Sequence, residues 1–159
     1  MVKVFIYPSN SLILSDLVDR FGHEPLAVMH EIGKKIKTAG LDSPPINITP
    51  EDPKKGLKYA AVEVPSGVRG RMSLLGPLLE EAQAAIIVTG PDISFGCMGC
   101  ARTNELITFL VRAKKIPKLD LEYPRTEEAA KDFVHQIHEF LAGLDNIKIS
   151  TSDKTGGGE

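Results

Sequence analysis

Cys97 and Cys100 are the two cysteines of this 159-residue chain, in Ser94-Phe95-Gly96-Cys97-Met98-Gly99-Cys100-Ala101-Arg102-Thr103-Asn104-Glu105. An apolar run precedes them and a strongly helical pattern follows. That places a paired thiol at the start of a helix, where backbone N–H groups stabilise a thiolate. Arg102 adds positive potential. One turn apart, the two sulfurs face the same way and can bridge, bind one metal or relay electrons. The competing reading is packing: two small side chains filling a glycine-lined turn. A zinc site needs two further ligands. His135 and His138 are the histidine pair with usable spacing, but their helix positions put one opposite the apolar stripe and the other at its edge. No metal is therefore assigned beyond what Cys97 and Cys100 can hold. His23 and His30 read as surface or cap residues.

A second segment carries chemistry of another kind. Ser66-Gly67-Val68-Arg69-Gly70-Arg71 puts two guanidiniums and two glycines at the start of a helix. Exposed N–H groups, the helix dipole and the forks of Arg69 and Arg71 suit a phosphate or carboxylate held near Ser66 and Gly67. An ordinary solvated loop is the alternative. The Gly-Lys-Ser/Thr ending of a P-loop is absent, and no Gly-x-Gly-x-x-Gly follows a strand. Glu63, a charge inside an apolar run, reads as salt-bridged or solvent-facing before it reads as a base.

The elements around these segments follow from periodicity. Val2–Tyr7 reads as a buried strand ended by Pro8. Ser9 or Asn10 caps a helix to about Arg20, with Leu14, Leu17, Val18 and Phe21 on one side and Gly22 stopping it. Pro25 opens a second helix with Met29, Ile32 and Ile36 on one face. A short strand at Ile46–Thr49 and another at Tyr59–Val64 are expected. Val68–Gln83 is helical, with a kink or break at Gly76-Pro77. Ala84–Val88 is short and continuously apolar, as a central strand buried on both faces must be. Thr103–Lys114 is a helix with Leu106, Ile107, Phe109, Leu110 and Val111 on a wide apolar face. Leu119–Tyr123 alternates like a half-buried strand. Thr126 caps a last helix with Phe133, Val134, Ile137, Phe140 and Leu141 inward, and Asn146–Ser150 reads as a final strand.

Strands alternating with helices predict an α/β fold. Its form is a three-layer, Rossmann-like architecture of five to six mainly parallel strands with helices on both faces. Residues 1–150 form one domain and the polar, glycine-rich 151–159 a disordered tail. Ligands of such sheets collect outside the carboxyl ends of the strands. There the loop bearing Ser66, Arg69 and Arg71 is expected to approach the loop bearing Cys97, Cys100 and Arg102.

The hydrophobic share of 42% and charged share of 25% are those of an ordinary globule. A net charge of −2 excludes a strong basic field, so nucleic acid is not expected as a partner. No apolar run approaches the ~18 residues of a membrane span. The expected location is the cytoplasm, where a dithiol or metal ligation is favoured over a structural disulfide. The composition permits a homo-oligomer.

The stretch Ser43-Pro44-Pro45-Ile46-Asn47-Ile48-Thr49-Pro50-Glu51-Asp52-Pro53-Lys54-Lys55-Gly56-Leu57-Lys58-Tyr59-Ala60-Ala61-Val62-Glu63-Val64-Pro65-Ser66-Gly67-Val68-Arg69-Gly70-Arg71 resembles methanogenesis marker protein 5. So do Phe95-Gly96-Cys97-Met98-Gly99-Cys100-Ala101-Arg102-Thr103-Asn104-Glu105-Leu106 and Lys3-Val4-Phe5-Ile6-Tyr7-Pro8-Ser9-Asn10-Ser11-Leu12. The resemblance spans about Met1 to Leu144. It implies a methanogenic archaeal source, a reducing anaerobic cytoplasm and an accessory role in methane metabolism. Several marker families accompany the assembly or activation of methyl-coenzyme M reductase. That enzyme, or another marker protein, is the partner the resemblance implies. It supplies no catalytic residues and no cofactor. The thiol-dependent redox or metal-handling reading of Cys97 and Cys100, and the anion-binding reading of Arg69 and Arg71, rest on the residues alone.

Overall fold

The computed structural model describes residues 1–36, 49–90 and 98–152. Four parallel strands form its sheet: β1 (Lys3–Tyr7), β2 (Glu24–Leu26), β3 (Ala84–Thr89) and β4 (Lys118–Glu122), in the order β2-β1-β3-β4. The helices are α1 (Leu12–Arg20), α2 (Val28–Ile36), α3 (Asp52–Lys55), α4 (Ser66–Glu81), α5 (Met98–Ala113) and α6 (Glu127–Ser152), with a 3-10 turn at Gly56–Lys58. The α/β class and the parallel sheet are those the sequence predicts, with four strands among the described residues instead of five or six.

Strand alternation sends side chains to two cores. Val4 and Ile6 of β1, Ala84, Ile86 and Val88 of β3 and Leu121 of β4 face α1 and α6, where Leu14, Val18, Ile137, Leu141 and Leu144 are buried. Phe5, Ala85 and Ile87 face the opposite way, against Val68, Met72, Leu75 and Leu79 of α4 and Ile107 and Val111 of α5. The result is three layers, with β3 at the centre and no more than 3% of any residue from Ala84 to Val88 exposed.

Several expectations are corrected. Pro25 sits inside β2 and does not open a helix. β2 is an edge strand, where a missing backbone donor is tolerated. That strand occupies the place beside β1. Tyr59–Val64 forms no strand: Tyr59 and Ala60 donate to the Gly56 carbonyl and Val64 to Ala61, so the backbone closes on itself in turns. Glu63 consequently lies on an exposed turn. α4 runs unbroken through Gly76 and Pro77, held by the buried leucines on either side, Leu74, Leu75, Leu78 and Leu79. The backbone of 146–150 continues α6 as helix and is not a strand. Phe109 (67% exposed) and Val134 (51%) point outward, beyond the buried stripes of their helices. His23 is buried: its Nε2–H donates to the Leu141 carbonyl at 3.0 Å, while Nδ1 has no hydrogen-bond partner among the described residues. It pins the α1–β2 turn to α6 beside an edge-to-face contact of Phe21 with His138. Of the strand expected at Ile46–Thr49, residues 46–48 lie outside the described residues and Thr49 is not strand; of the tail expected at 151–159, residues 151–152 end α6 and 153–159 lie outside the described residues.

At the amino edge of the sheet one lysine closes a helix. Lys114 Nζ donates to the carbonyls of Leu79, Glu80 and Ala82 at 2.6–2.8 Å, capping the end of α4. Burial lowers its pKa, and Glu80 nearby opposes that. Charge-assisted bonds of this kind stabilise by about 1.5–3 kcal/mol when made to a charged group. Lys114→Met keeps the stem and removes the ammonium. It is expected to lower unfolding free energy in a denaturant titration by about 1–3 kcal/mol; an unchanged midpoint would show that water caps α4 equally well.

Candidate functional site

Strand order decides where a ligand or partner can gather. The chain leaves β1 through α1 to one face of the sheet and leaves β3 through α5 to the other. In such sheets the crevice lies where the connections part, outside the carboxyl ends of β1 and β3. Tyr7 ends β1, opposite Ile87, with Thr89 ending β3 and Gly90 following it. Tyr7 is half-buried, and burial pushes its phenol above its ordinary pKa of 10.0. The turn that follows closes by Ser11 N–H donating to Pro8 O at 3.1 Å, and Ser11 Oγ then accepts from Leu14 N–H at 3.3 Å. Ser11, not Ser9 or Asn10, is therefore the cap of α1. Val28 N–H donates to Ser9 O at 3.0 Å and ties the start of α2 to the same turn.

α4 also begins at this edge, because it runs back to the start of β3. Arg69 is engaged in its own loop: Nε donates to Val64 O and NH1 to Pro53 O, both at 3.1 Å. A Cβ on Gly56 would meet the Arg69 carbonyl oxygen at 1.9 Å, so α3 and α4 approach as only glycine permits. Gly76 likewise lies under the Tyr59 ring, where a Cβ would fall 2.4 Å from it. Asp52, 2% exposed, accepts from Thr49 N–H at 2.8 Å and from its hydroxyl at 3.3 Å. Much of the unusual string from Thr49 to Arg71 thus braces the start of α4. Ser66 and Gly67 are exposed at its first turn. Arg71 is half-buried, and its side chain makes no hydrogen bond or ion pair with the described residues.

α5 starts at Met98, which puts the Cys100 backbone in its first turn. Cys97 lies outside the described residues. Arg102 is exposed and pairs with Glu105 at 2.8 Å, one turn further along α5. α4 and α5 pack side by side and both begin at the carboxyl edge. Among the described residues no group of three or more metal-ligating side chains converges.

Sequence reasoning passes over Leu12 and Ile13 at this edge, and the structure corrects its placing of Met29 on the apolar face with Ile32 and of Val62 inside a strand. Leu12 (74% exposed) and Ile13 (73%) in the first turn of α1, Met29 (45%) in the first turn of α2 and Val62 (66%) before α4 all carry exposed apolar side chains here. The signal was present: Leu12 and Ile13 fall outside the 14-17-18-21 stripe that buries α1.

The profile of the family described as "Uncharacterized protein conserved in archaea (DUF2112)" matches residues 2–144. The chain belongs to this archaeal family. An uncharacterized protein of Methanocaldococcus jannaschii, a methanogen, is 62% identical over 145 residues, covering 91% of this chain and 97% of the relative. No solved structure matches. No described helix is long and apolar enough to cross a membrane.

Two outcomes test this geometry. Arg69→Met strips two half-buried carbonyls of their donors and should cost about 1–3 kcal/mol of stability, whereas Arg71→Met should stay within about 0.5 kcal/mol; equal losses would contradict the bracing role. Burial also raises Tyr59. The folded state therefore keeps phenolic protons that the unfolded chain releases near pH 10, so these two groups contribute stability below pH 10 that is lost as pH climbs past it. Thermal melts should show that alkaline decline, and Tyr7→Phe should make it shallower.

Proposed function

We propose that this chain is an accessory protein of methanogenesis that works by docking a protein partner at the carboxyl edge of its sheet. The partner class is methyl-coenzyme M reductase or another methanogenesis marker protein. The observation that carries the reading is that Leu12, Ile13, Met29 and Val62 are each exposed and apolar on the segments that open α1, α2 and α4, at the edge where such folds bind. Membership of an archaeal family with a methanogen relative supports the metabolic context, and the sequence resemblance supplies the partner. No complete catalytic constellation assembles among the described residues. Leu12→Asp with Ile13→Asp changes two exposed positions and should leave the fold intact. Anaerobic affinity capture from methanogen lysate should recover subunits of the reductase or a marker protein on the wild-type chain. The double variant should recover at least about tenfold less. Equal recovery, or recovery of neither partner class, would overturn the proposal.

A second reading keeps the thiols. The start of α5 at Met98 supports it, since a helix N-terminus favours thiolate at Cys97 and Cys100. In this reading Cys97 is the nucleophile or metal ligand and Cys100 resolves it. Alkylation of Cys97 followed against pH should give a midpoint below the unperturbed ~8.5; a higher midpoint with slow reaction leaves only packing. An anion at this edge would rest on Ser66, Gly67 and Arg71, because Arg69 already serves two carbonyls.

A further inference from the structure

β4 is an open edge whose charges are arranged in a particular order. Ala85 N–H donates to Pro117 O, and Tyr123 N–H donates to Thr89 O. The odd-numbered residues of β4 therefore turn their backbone groups toward β3. Lys118, Asp120 and Glu122 turn theirs outward, where no strand pairs with them among the described residues. Their side chains share one face and are exposed, while Leu119 and Leu121 take the other. Arg112 neutralises Asp120, with Nε at 3.2 Å and NH2 at 2.8 Å from Oδ1.

We propose that β4 pairs antiparallel with β4 of a second copy, about a two-fold axis at Asp120, to make a continuous eight-stranded sheet. Outward-facing residues are those an antiparallel pair joins by reciprocal hydrogen bonds. With Asp120 on the axis, Lys118 falls opposite Glu122 of the second copy, and Glu122 opposite Lys118 of the second copy. The strand is thus its own charge complement. Opposite charges at directly facing positions favour such pairing and like charges oppose it. The one like pair, Asp120 with Asp120 of the second copy, is the pair each copy neutralises with its own Arg112. On the other face Leu119 meets Leu121 of the second copy at the closer spacing. Tyr123, 55% exposed, falls opposite Pro117 of the second copy. Lys118 already donates to the carbonyls of Arg112 and Lys114 at 2.9 and 2.7 Å, which leaves its third ammonium hydrogen for Glu122 of the second copy. A two-fold, self-complementary contact is the commonest way such chains associate. The alternative reading of a charged edge is a guard that keeps a monomer single. This proposal is independent of the docking surface above, which lies at the opposite, β2-β1 half of the molecule.

Light scattering coupled to size exclusion should give twice the 17.3 kDa of one chain. Glu122→Lys places Lys118 against a lysine twice over and should weaken the dimer by at least about tenfold in dissociation constant. Lys118→Glu should do the same, and an equimolar mixture of the two variants should restore the dimer, since the mixed pair is complementary at both positions. Circular dichroism checks that each variant is folded. If Lys118→Glu uncaps α5 and unfolds, the comparison of wild type with Glu122→Lys still decides. A wild-type monomer, or a dimer indifferent to Glu122→Lys, would overturn the proposal.

Discussion

Everything in this molecule hangs on the burial of β3 from both sides. Ile86 and Ile87 are wholly buried on opposite faces, and each contributes about 1.5–3 kcal/mol relative to exposure. A strand buried twice over needs cover above and below, and parallel neighbours need crossovers long enough to supply it. α1 and α6 cover one face, α4 and α5 the other. The same requirement sets the polarity of the covering helices. Each runs against the strands, so each begins at the carboxyl edge. The N-termini of α1, α4 and α5 all fall at the carboxyl edge because β3 must be covered.

The polar side chains that the covering layers enclose are engaged mostly in holding this arrangement. Arg69 fastens the loop before α4, Lys114 ends that helix, and His23 joins the α1–β2 turn to α6. Close approaches at Gly56 and Gly76 seat the 49–64 segment on α4. Once Arg69 is engaged in this way, the exposed apolar residues of the carboxyl edge become its more distinctive property.

How much of this was legible follows from the range of each interaction. Ala84–Val88 announced itself because burial on both faces leaves an unbroken apolar run. The main helices were legible because one-sided burial writes a 3.6-residue period. β2 was not, because three residues with a proline look like a helix start until β1 is there to pair with. Tyr59–Val64 mimicked a strand because Tyr59 and Val64 are drawn to α4, Tyr59 across a glycine contact that no local pattern records. The cysteine and arginine segments were recognisable as the starts of α5 and α4. That Arg69 is engaged by carbonyls five and sixteen residues back could not be read from its neighbours. Leu12 and Ile13 could have been found by asking which apolar residues the helix stripe leaves out.

The central claim is that the carboxyl edge of the β2-β1 half is the working surface. Hydrogen exchange read by mass spectrometry tests it directly, on the chain alone and with the purified partner that affinity capture recovers, methyl-coenzyme M reductase or a marker protein. The account predicts slowed exchange in peptides covering Leu12–Leu14, Val28–Met29 and Ala61–Val64, with peptides around Gln83 and Lys114–Ile116 at the amino edge unchanged. Protection confined to the amino edge, or none at saturating partner, would contradict it.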